Sequence, residues 1–223
     1  MKNCYDVELS TFINKLEEIS QSLRWADSAI LNSSPVQKRF SHIIISSAYV
    51  LTAAATEEYI REMISGLCKE IKKANPNFSE LRPSLVTIFA GSQINSLRDL
   101  KDYEKIWGKR REISNLFSSN ETINEKNIDV PLDGKTIRPV HLETIWEIFG
   151  FSGQAFTSLI YRASLTDIAD GRNDVAHGHV SIKKFAHLKG ALDTDKKIQR
   201  LKELALHFTL NAERYILNKL YLK

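Results

Sequence analysis

The sequence predicts an all-α protein, a bundle of about five to seven helices with one polar insertion. Apolar residues recur at intervals of three and four along most of the chain, which is the spacing of one helix face. Only 5 prolines and 9 glycines occur in 223 residues, and this favours long regular elements. The composition, 43% hydrophobic and 26% charged, predicts a globular protein with a single domain over residues 1–223.

Two long helices are predicted in the first third of the chain. The first spans about Tyr5 to Leu31, and NSSP at residues 32–35 then provides a capping serine and a proline that starts the second helix. This second helix is predicted over about Pro35–Lys73, and its most apolar run is shorter than the roughly 20 residues that span a bilayer, so it is expected in the core. Its predicted inward residues are Phe40, Ile44, Leu51, Ala55, Ile64, Leu67 and Ile71.

Helical spacing continues beyond residue 74 with one interruption. The residues from Ser118 to Pro139 are polar and include Asp133–Gly134, a pair typical of a tight turn between two short strands. We expect an insertion there, either with a short hairpin or as an irregular segment. The other helices are predicted over about Ser84–Phe89, Ser92–Phe117, His141–Phe149, Gln154–Ala169 and Asp193–Leu222.

Positive charge is concentrated after residue 180. The chain has a formal net charge of +4, and the stretch from Ser181 to Glu203 holds seven Lys or Arg residues against three Asp or Glu residues. Such a stretch either binds an anionic partner or forms a solvated helix face, and the spacing leaves both open. The candidate phosphate-binding residues are Lys183, Lys184, Lys196, Lys197 and Arg200.

The N-terminus and the cysteines predict a cytoplasmic protein. The first ten residues, MKNCYDVELS, lack the apolar stretch of a signal peptide. The two cysteines, Cys4 and Cys68, have the spacing of neither a metal site nor a disulfide framework, which favours a reducing compartment.

The densest group of chemically capable side chains is GRNDVAHGH at residues 171–179. Asn173 and His177 are four residues apart and would share a helix face, and Gly178 suits the left-handed stop after a helix. The predicted geometry is one distorted turn at a helix end, with Arg172 beside the other two side chains. Such an end is partly exposed because its last carbonyls need water or side-chain partners.

These residue types suit the cleavage of an RNA phosphodiester. Histidine exchanges protons near neutral pH, arginine binds phosphate oxygens, and attack by the neighbouring 2'-hydroxyl is intramolecular and needs no metal. The structural alternative is that Arg172 caps the helix and pairs with Asp174 while His177 fills a half-buried slot. A metal site from His177, His179 and an aspartate is the third interpretation. The chain has no P-loop and no G-x-G-x-x-G motif, so no cofactor is predicted.

The motif and its flanks resemble the HEPN superfamily. RNDVAHG is similar to its R-x4-6-H motif, here with four intervening residues and a polar Asn after the Arg. The stretch AYVLTAAATEEYIREMI, residues 48–64, resembles the second helix of the RiboL-PSP-HEPN group, in which an alanine-rich helix leads to a glutamate, an aromatic residue and a charged turn. LTDIADGRNDVAHGHV and the long helix after it resemble the C-terminal half.

The resemblance implies a helical bundle that dimerises so that two motifs face one cleft. Many members are metal-independent endoribonucleases of toxin–antitoxin or phage-defence systems, with a cognate antitoxin or nucleotidyltransferase as partner; others are catalytically silent and bind nucleotides, RNA or proteins. Arg172 and His177 correspond to the motif pair and Asn173 to the polar residue after the Arg. Glu57 corresponds to the helix-two glutamate, although its i, i+4 spacing from Arg61 also fits a simple surface ion pair.

Overall fold

The computed structural model describes residues 5–32, 34–124, 128–132, 134 and 136–223. Nine α-helices lie within these residues: α1 (Asp6–Asn32), α2 (Pro35–Lys73), α3 (Pro83–Phe89), α4 (Gly91–Asn95), α5 (Tyr103–Leu116), α6 (Pro139–Phe149), α7 (Leu159–Ala176), α8 (Ile182–Lys189) and α9 (Ala191–Leu217). A 3₁₀ helix follows α4 over Ser96–Asp99. The all-α class is confirmed, and the predicted number of five to seven helices is wrong.

The additional helices arise from local caps. The helix predicted over about 92–117 is divided, because Leu100 is extended and the Asp102 side chain accepts the backbone N–H of Lys105 at 3.0 Å to start α5. Likewise, the Ser181 side chain caps α8 inside the basic stretch. A capping side chain satisfies a backbone N–H at a helix start, so each of these residues begins a separate helix.

α2 lies at the centre of the bundle and contacts α1, α7, α8 and α9. It starts as predicted, with the Ser34 side chain accepting the backbone N–H of Gln37 at 3.4 Å. α1 packs along it, where the rings of Phe12 and Tyr59 stack with centroids 4.7 Å apart. The Tyr59 hydroxyl also donates to the carbonyl oxygen of Ala205 in α9 at 2.8 Å, so one side chain joins three helices.

The predicted inward face of α2 is correct only in part. Ala55, Ile64, Leu67 and Ile71 are buried, as are Ala48 and Ala53 of the alanine-rich face. In contrast, Phe40 is 56% exposed and Leu51 is 55% exposed. They lie with Val36 and Ile43 on a side of α2 that is not covered by a described helix, and these four residues are called the α2 apolar stripe.

The polar insertion, residues 118–139, connects the end of α5 to the start of α6. The backbone N–H of Phe78 donates to the backbone carbonyl oxygen of Glu121 at 3.0 Å. The backbone N–H of Asp129 donates to the carbonyl oxygen of Ile88 in α3 at 2.9 Å. The part of 118–139 that is described makes one isolated bridge, between Thr122 and Asn77. The hairpin predicted at Asp133–Gly134 lies partly outside the described residues, because Asp133 is not among them.

Candidate active site

The motif forms the C-terminal end of α7, with Arg172 and Asn173 inside the helix and His177 as its C-cap. The sequence predicts a helix end near Ala169, but α7 continues to Ala176. The continuation is possible because Gly171 is a tightly packed position of the helix and not a break. A Cβ atom at Gly171 would lie 2.2 Å from Cδ1 of Tyr49 in α2, so the glycine lets the two helices approach closely. This contact fixes the backbone directly before Arg172.

The end of α7 has the predicted left-handed stop. The backbone N–H of His177 donates to the carbonyl oxygen of Asn173 at 3.0 Å, which places the two residues one helical turn apart on the same face. Gly178 has φ +66, a conformation that glycine adopts without strain. His177 is therefore the last residue of the turn, and its side chain is exposed.

Arg172, Asn173 and His177 line one cleft with a volume of about 570 Å³. Arg172 and Asn173 are half-buried, and the Arg172 guanidinium donates from Nη1 to the side-chain oxygen of Asn173 at 3.2 Å. The cleft thus combines a cation, an amide and an accessible imidazole. These are the groups needed for charge stabilisation and proton transfer at a phosphodiester.

In the purely structural interpretation of the motif, Arg172 pairs with Asp174 and His177 fills a half-buried slot. The described residues do not form these contacts. Asp174 lies 3.7 Å from Nδ1 of His179, and Arg172 bonds Asn173 instead of Asp174. The rings of His177 and His179 are roughly parallel, with centroids 5.5 Å apart.

The third interpretation of the motif was a metal site. Within the described residues, His, Cys, Asp and Glu side chains do not form a group of three or more that could hold a metal ion.

The opposite wall of the cleft comes from residues that sequence reasoning missed. Arg138, Val140 and His141, at the start of α6, line it together with Gly134 and Thr136 of the insertion. Arg138 Nη2 lies 2.8 Å from Oδ1 of Asp170 in α7. No motif spacing could reveal this wall, because the two segments lie about 30 positions apart and only the fold brings them together.

A charged cluster holds α7 against α2, α8 and α9. The Tyr49 hydroxyl donates to Asp167 Oδ2 at 2.9 Å, Lys197 Nζ lies 2.8 Å from the same oxygen, and Lys189 bonds Oδ1. Burial acts to raise the pKa of Asp167, but the hydrogen bonds from Lys189, Lys197 and Tyr49 outweigh burial and lower this pKa. The cluster anchors the helix that carries the motif.

The basic stretch divides into anchored and free cations. Besides Lys189 and Lys197, Lys202 pairs with Glu17 at 2.5 Å, and Arg200 donates to Ser164 at 3.4 Å. The remaining candidate phosphate-binding residues are Lys183, Lys184 and Lys196. All three are exposed, and they do not pair with carboxylates in the described part of the chain.

Glu57 is not brought together with the motif. It pairs with Arg61, one turn further along α2, with Oε1 and Nη2 2.5 Å apart. The described residues that line the cleft do not include Glu57. Its geometry within one chain is therefore the surface ion pair that the i, i+4 spacing also predicted.

The comparisons identify the family. In the described residues, no helix combines the length and the apolar character needed to cross a membrane. Neither curated proteins nor solved structures match the chain. The family model of RiboL-PSP-HEPN matches residues 7–210, which is most of the chain. With this match and an arginine–histidine cleft at the end of α7, the chain belongs to the RiboL-PSP-HEPN family of the HEPN superfamily.

Proposed function

We propose that the protein is a metal-independent RNA endonuclease that cleaves by attack of the 2'-hydroxyl, acting as a toxin or defence effector in the cytoplasm. The observation that carries the proposal is that Arg172, Asn173 and His177 line the same open cleft. Membership of a family that commonly contains RNases supports it. A histidine with a purely structural role does not require an exposed ring in a cleft. A residue that transfers protons must be accessible to its substrate.

In the proposed reaction, His177 exchanges the protons. A neutral imidazole removes the proton of the 2'-hydroxyl as its oxygen attacks phosphorus, and a protonated imidazole gives a proton to the 5'-oxygen as the P–O5' bond breaks. Arg172 stabilises the negative charge that develops on the phosphoryl oxygens, and Asn173 orients Arg172 through their hydrogen bond. The products are a 2',3'-cyclic phosphate and a free 5'-hydroxyl.

The RNA backbone is proposed to contact Lys183, Lys184 and Lys196. These three side chains are exposed and close in sequence to the motif. Lys197 and Arg200, which the sequence also suggested, are occupied by Asp167 and Ser164, so their role in this proposal is to hold α9 in place. Glu57 is assigned no chemical step, because its carboxylate is paired with Arg61.

We also propose a homodimer of single-domain subunits, so that one subunit removes the first proton and the other supplies the second. The α2 apolar stripe supports self-association, because four large apolar side chains at helical spacing are left open to solvent. A cognate antitoxin or nucleotidyltransferase is the expected partner. Phe40→Glu should convert the dimer to a monomer in analytical ultracentrifugation, whereas an unchanged sedimentation coefficient would exclude this face as the interface.

The decisive experiment compares RNA cleavage by wild type and His177→Ala. Wild type should cut single-stranded RNA in the presence of a chelator and leave 2',3'-cyclic phosphate ends. His177→Ala should be at least about 100-fold slower, the loss expected for an acid–base group, with an unchanged melting temperature because the ring is exposed. Equal cleavage by the variant would refute the assignment, and RNA binding without cleavage by wild type would indicate a catalytically silent module.

A further inference from the structure

A positively charged surface lies where α8 packs against α2. At this place the rings of His42 in α2 and His187 in α8 have centroids 4.8 Å apart. Lys183 lies one helical turn before His187, and Lys38 lies one turn before His42. The surface consists of six residues and is called the α2–α8 basic face: Lys38, Arg39, His42, Lys183, Lys184 and His187.

The α2–α8 basic face is not neutralised by the protein itself. Residues 35–56 and the whole of α8 contain no Asp or Glu. The lysine and arginine side chains of the face are exposed, and carboxylates of the described residues do not pair with them. Lys202, in contrast, is paired with Glu17 at 2.5 Å. The face therefore presents uncompensated positive charge, which favours an anionic ligand.

The two imidazoles of the face are close enough to act on one anion. Burial lowers the pKa of the half-buried His42, and the positive charges of His187 and Lys183 lower this pKa further. Arg39 adds a positive charge three residues before His42 on the same side of α2. Two protonated rings repel each other, whereas an anion that contacts both accepts an N–H from each and compensates both charges. The pair is therefore best protonated when an anion is bound.

The position of the face along the chain favours RNA as this anion. α8 begins at Ile182, five residues after His177, and Lys183 and Lys184 already belong to the proposed RNA contacts. An RNA strand carries a negative charge at every phosphate, so one strand can contact cations on two neighbouring helices at once. A single carboxylate or an isolated phosphate would use only part of the face.

We propose that the α2–α8 basic face binds the phosphates of the RNA strand that flank the scissile phosphate, and that His42 and His187 together hold one of them. Neighbouring phosphates contact Lys38 and Arg39. The inference rests on the proposed function, because its ligand is the RNA of that function. The four residues that it adds take no part in proton transfer. They bind the strand and so influence which phosphate reaches His177.

Two matched lysine variants test the charge of the face. Lys38→Gln and Lys105→Gln each remove one exposed positive charge, but Lys105 lies in α5 and outside the face. Binding of a fluorescently labelled 2'-O-methyl RNA, which lacks the attacking hydroxyl, is measured by anisotropy at several salt concentrations. Lys38→Gln should reduce the slope of log affinity against log salt concentration by about 0.7, the value for one phosphate contact on a single strand. Lys105→Gln should leave the slope unchanged, and equal slopes for the two variants would overturn the inference.

The histidine pair is tested by the pH dependence of RNA binding. Phosphate binding stabilises the protonated rings, so the affinity should rise as the pH falls through the usual histidine pKa of about 6.5. All proteins in this measurement carry His177→Ala, so that the imidazole of the motif does not contribute. With His42 and His187 intact, binding should be about tenfold tighter at about pH 6 than at about pH 8, the effect of one hydrogen bond to a charged group.

The double variant His42→Gln/His187→Gln should change in affinity by less than about threefold over the same pH range, because its amides do not titrate. If its melting temperature is lowered, His187→Gln alone, which replaces an exposed ring, is measured in its place. An equal pH effect with and without the substitution would overturn the inference.

An acidic protein is the alternative occupant of the α2–α8 basic face, and poly-L-glutamate is the probe for it. Poly-L-glutamate binding that Lys38→Gln weakens, while RNA binding stays at the wild-type level, would overturn the inference. RNA binding through the face by a protein that cleaves no RNA would contradict the proposed function and leave the inference intact. RNA cleavage by a protein whose RNA binding is unchanged in every variant of the face would overturn the inference alone.

Discussion

The backbone of Gly171 lies against the ring of Tyr49 so closely that a methyl group at residue 171 would meet Cδ1 at 2.2 Å. Gly171→Ala should therefore push α7 away from α2 and lower the free energy of unfolding by about 1–3 kcal/mol, as overpacking does. Cleavage should fall even at temperatures where the variant is fully folded, because Arg172 is the next residue. Urea unfolding and RNA cleavage at 20–25 °C would test both effects.

Gly108 provides the matched control for this substitution. It lies in α5, and a Cβ atom there would have no heavy atom within 4 Å. Gly108→Ala should raise the free energy of unfolding by about 0.5–1 kcal/mol, because alanine loses less conformational entropy in a helix. Equal effects of the two substitutions would show that the contact with Tyr49 does not control the position of α7.

Asp167→Asn should destabilise the protein in a pH-dependent way. The variant weakens the bonds from Lys189, Lys197 and Tyr49, at a cost of about 1.5–3 kcal/mol near pH 7. The folded state lowers the pKa of Asp167, so the carboxylate stabilises the protein above its usual pKa of about 3.9, and this contribution is lost as the pH falls further. Urea unfolding should show that the difference in free energy of unfolding between wild type and variant becomes smaller below about pH 4. A difference that stays constant with pH would contradict this role.

His177 of the motif and His179, two residues after it, should differ sharply in their effect on cleavage. His179 is exposed, and its Nδ1 faces Asp174 at 3.7 Å outside the cleft-lining group. His179→Ala should leave the cleavage rate within about threefold of wild type, whereas His177→Ala removes the proposed proton-transfer group. Single-turnover cleavage of a labelled RNA measures both variants, and a large loss in His179→Ala would shift the assignment to the second imidazole.

Lys184 and Lys202 carry the same charge but should affect RNA binding differently. Lys184 is exposed, while Lys202 pairs with Glu17 at 2.5 Å. Lys184→Ala should reduce the slope of log affinity against log salt concentration by about 0.7, the value for one phosphate contact on a single strand. Lys202→Ala should leave that slope unchanged. Anisotropy titrations with an uncleavable RNA at several salt concentrations would show whether the slopes of the two variants differ.

Features that depend on local spacing could be predicted from the sequence. The start of α2 at Ser34, the left-handed glycine at 178 and the shared face of Asn173 and His177 are each determined within four or five residues. Such features follow from capping, backbone conformation and helical geometry alone. The placement of the motif at a helix end was therefore accessible before the fold was known.

Features that depend on tertiary contacts could not be predicted in this way. The half-buried position of Lys197 depends on its partner Asp167 in another helix, and its positive charge alone suggested a solvent-facing role. Arg138 and His141 reach the cleft only because α6 packs against α7. Phe40 has the spacing of a core residue, but its exposure depends on which neighbours cover α2.

The cluster around Asp167 has a consequence for how the protein matures during translation. Lys189 and Lys197 follow the motif in the chain, so they leave the ribosome after His177 has been synthesised. Until α8 and α9 have packed against α7, Asp167 lacks both cations of the cluster, and the end of α7 is held less firmly. The cleft at the end of α7 therefore reaches its final geometry only late in synthesis, and under the proposed function a nascent chain would not cleave RNA before that point.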